Sequence, residues 1–140
     1  MSRVFWDTNL FIYLLEDAGE RGQRVASLRE RMTERNDQLT TSALTLGELL
    51  AKPLERGDES LAERYETALA QTAILIPFDR AAGRLYARIR RDRTIRAPDA
   101  LQLACAGVAG TDLFVTNDER LSRCSVPGIQ FITALDRAFL

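Results

Sequence analysis

Four acidic residues, Asp7, Glu48, Asp99 and Asp118, lie far apart in the chain, and each stands where a strand or helix would deliver it to one edge of a sheet. Carboxylates gathered in this way are oxygen donors suited to a hard cation, which could neutralise charge on a phosphate and lower the pKa of a bound water. Histidine is absent from the chain. Its absence excludes a His-paired Ser or Cys nucleophile, His-based acid–base catalysis and His-ligated metal sites. Any phosphodiester cleavage here must be done by carboxylates and a hard metal.

Asp7 closes the apolar run Val4-Phe5-Trp6 and precedes Thr8-Asn9, so it reads as the last residue of a buried strand before a helix. Asp118 repeats the pattern: Leu113-Phe114-Val115 leads into Thr116-Asn117-Asp118 and then the helical Glu119-Arg120-Leu121. Asp, Asn and Thr are also the residues that cap helix N-termini, and capping competes with chemistry at either junction taken alone. Glu48 is surrounded by the apolar residues of Ser42 to Leu50, which places it near a buried face; the alternative is a solvated helix position. Asp99 follows Pro98 at the start of a strongly apolar helix, where a first-turn acid is also favoured by the helix dipole.

The elements that must position these residues alternate. Strands are predicted at Arg3 to Asp7, Gln38 to Thr41, Ile74 to Phe78, Asp112 to Thr116 and Ile129 to Ile132. Helices are predicted at Gly22 to Asn36, Leu44 to Lys52, Glu59 to Gln71, Arg80 to Arg91, Asp99 to Gly110 and Thr133 to Phe139. This alternation points to a parallel sheet with helices on both faces, and Pro53 with Gly57-Asp58 predicts a break in the middle. With 140 residues and 46% apolar content, the chain is expected to form a single domain spanning 1–140. No apolar stretch approaches the roughly 20 residues that span a bilayer, and no signal-like segment opens the chain, so a cytoplasmic protein is expected. Cys105 and Cys124 suggest neither a disulfide framework nor a zinc site, and both read as reduced thiols, Cys105 as a buried small hydrophobe.

The order and local wording of the acidic motifs resemble the PIN-domain ribonucleases and, within them, the VapC-like toxins of bacterial toxin–antitoxin pairs. The matching pieces are Trp6-Asp7-Thr8-Asn9, Ser42-x-x-Thr45-x-x-Glu48, Pro98-Asp99-Ala100 and Thr116-Asn117-Asp118, which together span nearly the whole chain. The resemblance implies a three-layer α/β/α PIN-like fold around a central parallel sheet of about five strands in the order 3-2-1-4-5, with Asp7 and Asp118 ending neighbouring strands at the ligand-binding crevice. It implies a metal-dependent endoribonuclease in which Asp7, Asp99 and Asp118 hold one or two Mg²⁺ ions, with Mn²⁺ as the alternative. Glu48 would position or deprotonate the attacking water, leaving a 5′-phosphate and a 3′-hydroxyl. Asn9 and Thr116 would orient carboxylates or contact phosphate. A cognate antitoxin and a homodimer are also implied. The run Phe11-Ile12-Tyr13-Leu14-Leu15 suits either core packing or such a partner contact.

A net charge of −1 offers no global attraction to nucleic acid. Positive charge is instead crowded into Arg84, Arg88, Arg90, Arg91, Arg93 and Arg96, just before Asp99. Arg88, Arg91, Arg93 and Arg96 are the expected RNA phosphate contacts; the alternative is a solvated face paired with Asp92 and nearby acids. Other aspartate chemistries fit less well. A phospho-receiver domain needs a lysine near its acid pocket, and the single lysine, Lys52, precedes Pro53 in the wrong region. A phosphatase of the haloacid dehalogenase type needs a second Asp where this chain has Asn9. A non-catalytic module that binds RNA or protein and a housekeeping RNA-processing nuclease stay open as alternatives, although clustered like charge costs a mere scaffold stability.

Overall fold

Val4, Phe5 and Trp6 are each 0% exposed because the strand they form, β1 (Arg3–Trp6), runs through the middle of the sheet in the computed structural model, which describes residues 1–16 and 19–138. A strand covered on both faces needs apolar side chains at consecutive positions rather than alternate ones. β1 pairs with β2 (Gln38–Ser42) on one side and with β4 (Thr111–Thr116) on the other. β3 (Ile74–Ile76) and β5 (Ile129–Ala134) form the edges, so the order is β3-β2-β1-β4-β5 with every pair parallel. This is the sheet that the resemblance implied.

Helices cover both faces. α1 (Thr8–Glu16), α2 (Glu20–Glu34), α3 (Ala43–Glu55) and α4 (Glu59–Thr72) bring Leu10, Phe11, Val25, Leu28, Met32, Leu49 and Leu69 onto Val4 and Trp6. On the opposite face, α5 (Arg80–Ile89) and α6 (Ala97–Ala109) pack Ala82, Ile89, Ala100, Leu103 and Ala104 against Phe5 and Phe114, whose rings stack at 5.1 Å. Each large side chain so buried contributes about 1.5–3 kcal/mol. After β1 the chain adds β2 and β3 on one side, then returns to add β4 and β5 on the other. The carboxyl ends of β1 and β4 therefore flank the point where strand order reverses, the place where open α/β sheets bind ligands.

Two expectations are corrected. Thr133 to Phe139 is not a helix: β5 continues to Ala134, with Val115 opposite Thr133 and Thr116 opposite Ala134, and a 3-10 turn, Leu135–Arg137, follows. Residue 139 lies outside the described residues. So short a helical pattern cannot repay helix nucleation, whereas β-branched Thr133 gains a ready partner strand. The third helix does not stop at Lys52 either, because α3 runs through a buried Pro53 to Glu55. In the last turn the missing N–H costs a single hydrogen bond. The break falls instead at Gly57, whose φ of 72° is left-handed, followed by Asp58, whose side chain accepts the Leu61 N–H. The remaining boundaries agree to within about two residues.

Cys105 and Cys124 are both free thiols, the first buried. Among the described residues, no helix is long and apolar enough to cross a membrane.

Candidate active site

Asp7 is the first residue beyond β1, and its N–H still donates to the Val115 carbonyl of β4 at 3.0 Å, which sets its carboxyl in the crevice between the two strands. Oδ1 accepts the Thr8 N–H at 2.7 Å and Oδ2 accepts the Thr116 hydroxyl at 2.9 Å. Thr116, buried at the end of β4, also accepts the Asp118 N–H at 3.0 Å, so one hydroxyl ties both strand ends together. Burial pushes the Asp7 carboxyl up to about 6. Asp99 and Glu48 add to the rise, against the pull of the Thr116 and Thr8 hydrogen bonds.

Glu48 comes from α3 and Asp99 from the first turn of α6. Glu48 is exposed, which corrects the expectation that its apolar neighbours would bury it. Adjacent helix residues point about 100° apart, so Leu49 enters the core while Glu48 does not. Its Oε1 accepts the Thr8 hydroxyl at 2.7 Å. The Asp99 carboxyl is raised by burial and by Asp118 and Glu48, opposed by Arg96 and Arg120; Arg96 Nε stands 3.8 Å from Asp99 Oδ2. Asp7, Glu48 and Asp99 line one pocket of about 360 Å³, with Thr8, Asn9 and Arg96 among its other walls.

Asp118 does not line that pocket. Its carboxylate is gripped by Arg120, which donates from Nη2 at 2.8 Å, from Nε at 3.1 Å and from its backbone N–H at 2.9 Å. These contacts hold the Asp118 carboxyl below the usual carboxylate range and cap the 3-10 turn Glu119–Arg123. Capping and proximity to the acid cluster thus coexist at this junction. The fold brings Asp7, Glu48 and Asp99 to one pocket and leaves Asp118 beside it, paired to Arg120. Among the described residues, no group of three acidic or cysteine side chains stands close enough to hold a metal ion as they lie.

Beneath the acids lies a buried polar network that sequence reasoning missed. Thr41 gives its proton to the Trp6 carbonyl at 2.8 Å, so across the 2.7 Å contact Thr45 must donate to Thr41. Thr8 gives its own proton to Glu48. Neither hydroxyl then has a proton for the 3.1 Å contact between Thr8 and Thr45. Gln102 resolves this: Nε2 donates to Thr8 at 3.0 Å and to Thr45 at 2.9 Å, while Oε1 accepts the Ser42 hydroxyl. The donor chain therefore ends on the Glu48 carboxylate. The available signal was the single amide in the otherwise apolar Leu101-Gln102-Leu103.

The arginines divide. Arg96 lines the acid pocket. Arg88 lines a different pocket, with Arg120 and Arg123. Arg91 and Arg93 are exposed in the turn between α5 and α6, where Arg91 Nε donates to the Arg88 carbonyl at 3.2 Å.

The fold has known counterparts. VapBC2 from Rickettsia felis, solved with a DNA fragment from its promoter, contains a chain that superposes with a TM-score of 0.76 at 16% identity, covering 94% of this chain and 98% of that one. DNA-bound VapBC from Salmonella typhimurium gives a TM-score of 0.68 at 22% identity over 96% and 99% of the two chains. VapBC-5 from Mycobacterium tuberculosis, of the VapBC family of toxin-antitoxin systems, gives 0.62 at 19% identity, again over 96% and 99%. At such identities the likeness is one of fold. No curated protein is significantly similar in sequence. The PIN-domain family model matches residues 4–126, from β1 through the segment after the 3-10 turn, and so takes in all four acids. On that match over most of its length, the chain belongs to the PIN-domain family.

Proposed function

We propose that this protein is a metal-dependent endoribonuclease acting through Asp7, Glu48, Asp99 and Asp118, and that it is the toxin of a toxin–antitoxin pair. The observation that carries this reading is the pocket at the strand-order switch, lined by three acids from distant parts of the chain, of which the most buried, Asp7, is driven to about 6. A carboxylate raised chiefly by burial, and further by Asp99 and Glu48, is relieved by a cation.

The donor set fits a hard divalent ion. It offers carboxylate oxygen and no sulfur or imidazole, as Mg²⁺ or Mn²⁺ prefers, and Asp7 and Asp99 already face the pocket. Asp118 would join them once Arg120 lets go. A bound ion would neutralise the scissile phosphate and acidify a water. Thr8 and Thr116 hold Asp7 by both oxygens, so its carboxylate is aimed before substrate arrives. Glu48, which accepts the Thr8 hydroxyl, would orient the attacking water and take its proton. Asn9 stands at the pocket wall, where its amide can meet a phosphate oxygen. Arg96 and, further out, Arg88, Arg91 and Arg93 supply positive charge along the approach.

Attack by water rather than by the RNA's own 2′-hydroxyl leaves 5′-phosphate and 3′-hydroxyl ends. End-group analysis of the fragments tests this, since 2′,3′-cyclic phosphate products would exclude it. The solved structures similar to this chain described above are toxin–antitoxin complexes, which supports a cognate antitoxin as partner. We further propose the cytoplasm as site of action and a homodimer as working state. A binding module that retains the fold is the competing reading, and the Asp118–Arg120 pair is the observation on its side.

A further inference from the structure

Between the end of α5 and the 3-10 turn Glu119–Arg123 lies a second pocket of about 480 Å³, rimmed by Arg88, Arg120 and Arg123. Its floor is apolar, with Ile89, Ile95 and Val126 all buried. The acid on its wall, Asp92, is turned onto its own backbone, where Oδ1 accepts the Thr94 N–H at 3.0 Å and the Thr94 hydroxyl at 2.6 Å. Arg88 and Arg123, with Arg120 when it leaves Asp118, outnumber the one carboxylate on the wall and make a seat for an anion, and the planar arginine fork matches phosphate oxygens.

This pocket is linked to the carboxylate cluster through the Arg120–Asp118 ion pair. Arg120 lines it, yet spends Nε and Nη2 on Asp118, which lies outside it. Burial raises the Cys124 thiol on the same wall, and Asp92, Asp118 and Asp99 add to the rise, so the cluster is within electrostatic reach. A strand laid across Asp7 and Asp99 carries further phosphates on either side of the scissile one, and tethering presents them at high effective concentration.

We propose that this pocket seats a phosphate of the RNA strand neighbouring the scissile phosphate, and that Arg120 is a positioning residue that turns from Asp118 to that phosphate when the strand binds. Substrate arrival thereby frees the Asp118 carboxylate to join Asp7 and Asp99. The inference rests on the nuclease reading but is tested apart from cleavage.

The test uses fluorescence anisotropy of a labelled single-stranded RNA in EDTA at low salt, with Arg64→Ala on α4 as control. Arg88→Ala, Arg120→Ala and Arg123→Ala should each weaken RNA binding about ten-fold and flatten the salt dependence by about one phosphate contact, while Arg64→Ala changes neither. Inorganic phosphate at the RNA's phosphate concentration should not displace the strand; equal displacement would make this a free-anion site and overturn the strand assignment. Mn²⁺ binding without RNA, followed by electron paramagnetic resonance, reads the coupling. Arg120→Ala should bind Mn²⁺ several-fold more tightly than the unsubstituted protein, and Arg123→Ala should match it. No RNA binding by the unsubstituted protein, or unchanged binding by the three pocket variants, overturns the seat. Unchanged Mn²⁺ affinity in Arg120→Ala overturns the coupling. Absence of cleavage in Mg²⁺ would instead strike the nuclease reading and leave these binding results standing.

Discussion

At Asp7 burial and function pull in opposite directions. Its carboxyl, raised from 3.8 to about 6, keeps a proton in the folded chain over a range where the unfolded chain has lost it. The stability contributed by that proton is fully present below 3.8 and is lost as pH rises through about 6, a difference of about 3 kcal/mol. In EDTA, Asp7→Asn should therefore be more stable than the unsubstituted protein at pH 7, with the gap closing toward pH 4 in urea denaturation; a constant gap would contradict the burial of this charge. Gln102→Leu leaves Thr8, Thr45 and Ser42 short of partners in the core. It should cost about 2–4 kcal/mol by the same measurement and lower cleavage by loosening Glu48. Thr116→Val, which removes one of the two hydrogen bonds to Asp7, should reduce cleavage about 10–100-fold with the fold intact by circular dichroism. Asp7, Asp99 and Asp118 were legible in the sequence because each follows a strand or opens a helix, positions defined by local pattern, and Glu48 because it is the one acid in the apolar helical stretch from Ser42 to Leu50. Gln102 and Arg120 were not, since their roles arise only where residues from distant segments meet.

Among the elements, β1 and β4 were plain from their continuous apolar runs, as strands buried on both faces must be. The edge strand β5 was harder. Its end, Thr133-Ala134, runs into Leu135 in a pattern that reads as helical, and only the ladder with β4 decides for strand. Pro53 misled in the opposite sense, because a proline in a final turn costs too little to end a helix that packs along α4. The turn into β5 depends on Gly128, with φ 89°, pressed on α6 so closely that a Cβ there would lie 2.0 Å from the Gly107 carbonyl oxygen. Gly128→Ala must part α6 from β5 and adopt a left-handed backbone. A loss of about 2–4 kcal/mol is expected from the shift in denaturation midpoint, and an unchanged midpoint would show that the contact yields freely.

Over the whole molecule, the parallel sheet converts four distant acids into neighbours by sending the chain out in both directions from β1. A net charge of −1 conceals this polarity, with carboxylates gathered at the strand-order switch and arginines along α5 and the turns beside it. The sheet order came from the resemblance rather than from periodicity, because parallel pairing between segments a hundred residues apart leaves no local mark. The most direct measurement is cleavage of a mixed, labelled single-stranded RNA by the purified protein in Mg²⁺, in Mn²⁺ and in EDTA, beside folded Asp7→Asn and Asp99→Asn. Cutting that needs the ion and is abolished by both substitutions is the expected result; full Mg²⁺-dependent cutting by Asp7→Asn would contradict a carboxylate nuclease built on this site.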